Sequence, residues 1–148
     1  MDLILSPKEE VENVVCEEVS VSEIQDIIEN IKPKMEAILI EHKGIGLAAP
    51  QVGINKRFFI ILNPENKYDI YFNPQYYKNS DARIQLREGC LTYPEQEFET
   101  KRWKNIRCIS YIEENGELKK NIFVLKGLSS IAFQHETDHL NGITIAMR

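Results

Sequence analysis

The chain has 148 residues, of which 43% are hydrophobic and 28% are charged, as in an ordinary globular protein. This length suits one domain spanning residues 1–148, and no repeat or linker divides it. The formal charge of −5 argues against direct nucleic-acid binding, because proteins of that class carry a basic face. No apolar run approaches the ~20 residues of a membrane span, so we expect no membrane association.

The cysteine count and the N-terminus both indicate an intracellular protein. Three cysteines, an odd number, do not suggest a disulfide framework. The first residues are too few and turn acidic too soon for a signal peptide. We therefore expect a cytosolic chain with reduced thiols.

A helical pattern opens the N-terminal part. Residues 20–23 read Ser-Val-Ser-Glu, which has the form of a capping box. Isoleucines at helical spacing follow as far as Ile31. Pro33 predicts either a kink or a fresh helical start. A helical period then continues to His42, and Gly44 is expected to end it.

Short apolar runs follow and predict strands. They are Phe58 to Leu62, Tyr68 to Phe72, Ile106 to Ile112 and Asn121 to Leu125. Asn115-Gly116, between the last two, is a strong hairpin signal. A closing helix is expected from about Leu128 to Leu140. This order predicts an α+β fold, with an N-terminal helix and mainly antiparallel sheets packed around the C-terminal helix.

The closing helix carries the sequence Gln-His-Glu-Thr-Asp-His at 134–139. His135 and His139, four residues apart, project from one helix face and can bind one metal ion. Glu136 between them can accept a proton from a metal-bound water. The alternative is a solvated surface helix, which the apolar flanks disfavour. Asp138 either orients a ligand imidazole or is solvated, and both interpretations stay open.

A third ligand should come from upstream, since few residues follow the second histidine. Ile145 stands where an extended zinc-protease motif would have its third histidine. Cys90 is the best candidate, because it follows a glycine and precedes a turn ending in proline, so its thiol can face a cleft. Cys16 and Cys108 are expected to be buried apolar residues, and His42 an exposed helix-end residue.

Residues 44–53 form a run of small residues that lets another backbone or a ligand approach closely. The run also matches the loose dinucleotide pattern G-x-G-x-x-A. That interpretation requires a preceding strand and a helix opening within the run, whereas here a helix precedes it and Pro50 interrupts it. We interpret it as a substrate-binding edge, in which Gln51 offers an uncharged amide donor for an oxyanion.

Three segments together resemble peptide deformylases: GIGLAAPQ at 44–51, EGCLT at 88–92 and QHETDHL at 134–140. They occur in the family's order and at its approximate spacings. The resemblance extends from about position 20 to the end of the chain. It implies an enzyme that removes the N-formyl group from the N-terminal methionine of nascent polypeptides and releases formate.

The resemblance also implies the metal site and the reacting groups. Cys90, His135 and His139 would bind one divalent ion, Fe(II) natively, which zinc, nickel or cobalt can replace. A metal-bound water would be the nucleophile. Glu136 would act as general base towards that water and then as general acid towards the departing amine.

The substrate contacts follow from the same resemblance. The Gln51 amide and the Leu91 backbone N–H would hold the oxyanion. The backbone near Gly46 and Gly89 would align the peptide as an added strand. Further residues would line a methionine pocket, although plain core residues are an equally good interpretation: Ile45, Leu86, Leu128, Ile131 and Ala132.

The implied partners are N-formyl-methionyl peptides, with the ribosome exit region as a candidate. Two residues depart from the family pattern. Thr92 stands where the family has serine, and Glu97 stands where it often has arginine. Glu97 leaves open which substrate residues are preferred after methionine. The extra C-terminal helix of common bacterial members is not expected. Short forms are known among phage-encoded deformylases, so the implied location is the cytoplasm, or the host cytoplasm for a phage protein.

Two alternative functions belong to other classes. A non-catalytic relative that binds peptides or stores metal would bind formyl-peptides without turnover, and no missing catalytic residue favours it. A broader metallo-amidase or aminopeptidase would cleave unformylated peptide bonds.

Overall fold

The computed structural model describes residues 3–148. The helices are α1 (Val21–Asp26), a π-helical turn (Ile27–Ile31), α2 (Lys32–His42) and α3 (Leu128–Leu140), with 3-10 turns at Lys8–Glu10, Ala49–Val52 and Ile145–Met147. The strands are β1 (Gly46–Ala48), β2 (Phe58–Leu62), β3 (Tyr68–Lys78), β4 (Arg83–Cys90), β5 (Tyr93–Trp103), β6 (Asn105–Glu114) and β7 (Glu117–Lys126). Within the described residues, no helix is both long enough and apolar enough to cross a membrane.

The strands form two antiparallel sheets. One has five strands in the order β1-β2-β3-β6-β7, and the other consists of β4 and β5 alone. Every strand pair is antiparallel. The predicted α+β class with mainly antiparallel sheets is therefore confirmed.

The five-stranded sheet is covered on both faces, because alternate residues of β2 point to opposite sides. Phe58 and Ile60 are buried in a cluster with residues of α1 and α2. Phe59, between them, packs in the opposite cluster with Phe133 of α3. Their ring centroids lie 5.2 Å apart in an edge-to-face arrangement. This packing fixes α3 against the centre of the sheet.

The N-terminal helix contains a local widening just before its proline. Pro33 lies in the first turn of α2, directly after the π-helical turn. A proline ring crowds the carbonyl four residues earlier, and a wider turn relieves that clash. The helix therefore continues through Pro33 by way of the π-helical turn, and the expected fresh start is not observed. Lys43, rather than Gly44, adopts the left-handed conformation that ends α2, with φ of 54°.

The four predicted strands are present, and three of them are longer than predicted. The Asn115-Gly116 hairpin is confirmed, since both residues have positive φ and join β6 to β7. Strands β4 and β5 were not predicted. Most of their residues are exposed and many are charged, so they lack the apolar alternation on which strand prediction depends.

We expect Phe133→Ala to lower the free energy of unfolding by about 3–5 kcal/mol, because the ring is fully buried and contacts three other aromatic rings. Urea denaturation would measure the change. Leu128→Ala on the same helix is the matched control, since Leu128 is 78% exposed; it should stay within about 0.5 kcal/mol. Equal losses for the two variants would contradict this account of the core.

Candidate metal centre

Three parts of the chain meet at one point: the segment from β1 through the 3-10 turn Ala49–Val52, the end of β4, and the middle of α3. Cys90 is the last residue of β4. His135 and His139 lie one turn apart on α3. One ligand atom from each of these three residues can be chosen so that all lie within 4.8 Å of one another. Cys90 Sγ and His139 Nε2 lie 3.3 Å apart.

The donor chemistry of this cluster fits a divalent metal ion. A thiolate and two neutral imidazoles leave such an ion one net positive charge and one open position. Burial, reinforced by the neighbouring His135, holds the pKa of His139 well below its ordinary value, so that ring is neutral. Burial also lowers the pKa of His135, but the nearby Glu136 and Cys90 outweigh it and raise the value to about 10. A metal ion would therefore replace a proton on His135.

Glu88 orients the ring of His135. Burial alone would raise the pKa of Glu88, but hydrogen bonds from His135 and Arg102 outweigh it and bring the value to about 2. The carboxylate is therefore ionised and accepts from His135 Nδ1 at 2.8 Å. With a metal ion in place of the second ring proton, His135 would keep its Nδ1–H on Glu88 and present Nε2 as the ligand atom.

Arg102 connects Glu88 to Asp138 inside the protein. Its guanidinium is 3% exposed and donates to both oxygens of Glu88 and, at 2.9 Å, to Asp138 Oδ2. Thr100 donates a further hydrogen bond to Glu88. Neither interpretation left open for Asp138 was right. Its carboxylate is buried and bonds to Arg102, whereas Glu88 holds the imidazole.

Glu136 projects against a glycine. A Cβ placed on Gly46 would lie 2.6 Å from Glu136 Oε2, so only glycine leaves room for this carboxylate. Burial raises the pKa of Glu136 to about 7. Its Oε1 atom is buried and has no hydrogen-bond partner among residues 3–148. A buried oxygen without a donor fits a position beside a bound water or substrate.

The Gln51 side chain is fixed at both ends of its amide. Its Oε1 accepts from the Ala48 N–H at 2.9 Å. Its Nε2 therefore faces the metal cluster, where it lies 3.3 Å from Cys90 Sγ and 3.0 Å from Thr92 Oγ1. The residue is 2% exposed. This amide is a preorganised neutral donor beside the ligand set.

The remaining candidate residues surround this centre more loosely. Leu91 follows Cys90 directly, and Gly89 precedes it in β4. The candidate methionine-pocket residues lie on three different elements and differ in exposure. Ile45 (63% exposed) precedes β1, Leu86 (half-buried) is in β4, and Leu128 (78% exposed), Ile131 (6% exposed) and Ala132 (half-buried) are on α3.

The residues expected to stay outside the site do so. Cys16 and Cys108 are buried, and burial raises the pKa of their thiols to about 11 and about 12, respectively. His42 is exposed at the end of α2. None of the three belongs to the metal-binding group found among the described residues.

Sequence reasoning missed Glu88, Arg102 and the bond from Gln51 to Thr92. Glu88 lies two residues before Cys90 in β4, so both side chains share one face of that strand. That spacing could have identified Glu88 if the strand had been predicted. No local signal distinguishes Arg102 from the exposed charges around it.

We expect Glu88→Gln to weaken metal binding by about 10- to 100-fold, because the amide removes the charge that fixes the Nδ1 proton of His135. Competition between the protein and a chromophoric chelator for Co(II) would measure the affinity. Glu99→Gln, an exposed position on the neighbouring strand, is the control and should bind Co(II) like the parent chain. Equal affinities for the two variants would contradict the role of Glu88.

A sequence model of the polypeptide deformylase family matches residues 1–148. A peptide deformylase of Synechocystis is 34% identical over 132 residues, covering 86% of this chain and 69% of that protein. A peptide deformylase of Thermotoga petrophila is 37% identical over 128 residues, covering 86% and 76%, respectively.

Solved structures agree with these sequence comparisons. The crystal structure of peptide deformylase from Thermotoga maritima superposes with a TM-score of 0.84 at 28% identity, covering 100% of this chain and 97% of that one. The Met-Ala-Ser-bound class I type b peptide deformylase of Acinetobacter baumannii gives 0.86 at 26% identity, with coverage of 100% and 98%. The chain therefore belongs to the polypeptide deformylase family of metal-dependent enzymes.

Proposed function

We propose that this chain hydrolyses the formamide bond at the N-terminal methionine of nascent polypeptides and releases formate. The observation that carries the proposal is the meeting of Cys90, His135 and His139 beside Glu136 and the Gln51 amide. Family membership supports the substrate class. We further propose that residues 1–148 act as one catalytic domain in the cytoplasm, or in the host cytoplasm if a phage encodes the chain.

Cys90, His135 and His139 would hold the divalent ion. When bound, such an ion polarises a carbonyl oxygen and lowers the pKa of a coordinated water to near neutrality. We propose Fe(II) as the native ion, with zinc, nickel and cobalt as substitutes, since one thiolate and two imidazoles accept each of them. Glu88 and Arg102 keep the His135 ring in its ligand orientation.

Glu136 moves the proton in this proposal. Its side chain adjoins the His135 ring, with Glu136 Oε2 3.9 Å from His135 Nε2. Its Oε1, without a partner among the described residues, is free to accept a proton from water. The same oxygen then returns the proton to the departing amine nitrogen. Gly46 is required because any side chain there would displace this carboxylate.

Gln51 and Leu91 would stabilise the negative charge that develops on the formyl oxygen. The Ala48 N–H donates to Gln51 Oε1, and Gln51 Nε2 donates to Thr92 Oγ1; together these bonds aim Nε2 at the cluster. The Leu91 N–H follows the cysteine ligand directly, at the turn between β4 and β5. Neutral donors hold an oxyanion without changing the net charge of the centre.

The substrate backbone would bind between two strand edges. Among the described strands, β1 pairs only with β2 and β4 pairs only with β5, so each has one free edge. Gly46 and Gly89 lie on those strands, and a peptide there would extend the sheets by strand addition. Glu97 faces Gly89 across the β4–β5 ladder, close to the residues that follow methionine. The proposed methionine pocket is formed by Ile45, Leu86, Leu128, Ile131 and Ala132.

We expect Glu136→Gln to lower kcat for a formyl-Met peptide by at least about 100-fold while metal stays bound, because the amide cannot accept the proton. Formate release by anaerobically prepared, iron-loaded protein would measure turnover, alongside metal analysis. Glu117→Gln on β7 is exposed and is the control. Full activity of the Glu136 variant would exclude it as the base.

The same assay separates the proposed reaction from its alternatives. Formyl-peptide binding without formate release, in protein loaded with iron, nickel or cobalt, would indicate a binding protein. Cleavage of an unformylated peptide would indicate a broader amidase.

We expect Gly46→Ala to lower kcat by at least about tenfold, because the new methyl group would lie 2.6 Å from Glu136 Oε2 and displace the base. Gln25→Ala, at an exposed position of α1 outside the site, is the control and should keep the parental kcat. Steady-state kinetics on the same peptide would separate the two. A Gly46→Ala variant with parental kcat would show that Glu136 keeps its active position without a glycine at residue 46.

A further inference from the structure

Asp138 ends a chain of buried hydrogen bonds that begins at His135. Its carboxylate is 2% exposed and accepts from three side chains. Arg102 Nη1 donates to Oδ2 at 2.9 Å, and the Tyr76 hydroxyl donates to Oδ1 at 2.7 Å. Arg148 donates through two nitrogens, Nε to Oδ2 at 2.9 Å and Nη2 to Oδ1 at 3.0 Å.

Arg148 and Asp138 form a bidentate salt bridge. Two N–H groups of one planar guanidinium meet the two oxygens of one carboxylate, which is the strongest geometry for such a pair. The side chains are 37% and 3% exposed, respectively. Water therefore screens this pair less than a surface ion pair. Arg148 Nη2 also lies 3.3 Å from the Tyr76 hydroxyl, which joins the three residues into one unit.

With His135 neutral as a metal ligand, the two carboxylates of this cluster need both Arg102 and Arg148 for charge balance. Glu88 and Asp138 carry one negative charge each, and Arg102 compensates only one of them. Arg148 supplies the second positive charge. Without it, Asp138 would attract Arg102 more strongly and draw it away from Glu88, because one guanidinium serves both carboxylates.

We propose that Arg148, with Tyr76, is a positioning residue for the metal centre. By saturating Asp138, it keeps Arg102 on Glu88 and Glu88 on the Nδ1 proton of His135. The inference rests on the proposed function, because it takes His135 as a metal ligand. Arg148 acts through these side chains and touches no reacting atom.

We expect Arg148→Gln to weaken Co(II) binding about tenfold, the low end of the range for partners of metal ligands, because Arg148 is further from the ligand than Glu88. Chelator competition would measure the affinity, and kcat should fall with it while KM for a formyl-Met peptide changes little. Arg148→Lys should restore only part of the loss, because an ammonium keeps the charge but lacks the planar fork.

Two further variants complete the experiment. Arg107→Gln removes an exposed arginine of β6 outside this cluster and should match the parent chain. Tyr76→Phe removes one donor to Asp138 without changing the charge. It should weaken Co(II) binding by a smaller factor than Arg148→Gln. If the Arg148→Gln variant does not fold, the Co(II) affinity of Tyr76→Phe tests whether the partners of Asp138 position the metal centre.

Several outcomes would overturn the inference. One outcome is that Arg148→Gln has the same Co(II) affinity and kcat as Arg107→Gln and differs only in a lower unfolding midpoint. Arg148 would then contribute to stability alone. Another is full restoration by lysine, which would leave no role for the fork. Formate assays on the parent chain test the proposed function separately: a parent that binds metal but releases no formate would disprove deformylation, while the affinity comparison would still decide the role of Arg148.

Discussion

A buried guanidinium, that of Arg102, joins the parts of the chain that make the metal centre. Strands β4 and β5 form a sheet of their own, so within residues 3–148 no strand ladder ties the cysteine ligand to the rest of the fold. Arg102, on β5, binds Glu88 of β4 and Asp138 of α3 at once. Removing one partner from a buried ion pair typically costs about 3–5 kcal/mol, because it leaves an uncompensated charge. This contact acts together with the hydrogen bonds of Ser130 and Gln134 to the Trp103 backbone, which also hold β5 against α3.

The polar groups of the centre divide into two kinds. Supporting groups are saturated: Glu88 and Asp138 accept from several donors each, and both ends of the Gln51 amide are fixed. The proposed base, Glu136, keeps one oxygen without a partner among the described residues, and so does the Nδ1 atom of His139. Since the bonded groups around it cannot relax easily, the free Glu136 oxygen stays where substrate and water would bind.

Sequence prediction succeeded wherever the signal was local and apolar. The helices, the Asn115-Gly116 turn and the four apolar strands follow from periodicity and turn chemistry. Strands β4 and β5 were not predicted because they are largely exposed and carry many charged residues, with few apolar residues between them. Asp138 was misjudged for a related reason: a helix position alone does not reveal that a buried arginine faces it.

The sequence by itself determined the spacing of His135, Glu136 and His139 on one helix, because helix geometry places such residues on neighbouring faces without help from the rest of the chain. It also made Cys90 the best candidate for a third ligand and Gln51 a candidate oxyanion donor. The tertiary structure alone decided that these residues meet, that Gly46 makes room for Glu136, and that Glu88 holds His135. Those contacts join positions tens of residues apart, and no local pattern of residue types encodes such distances.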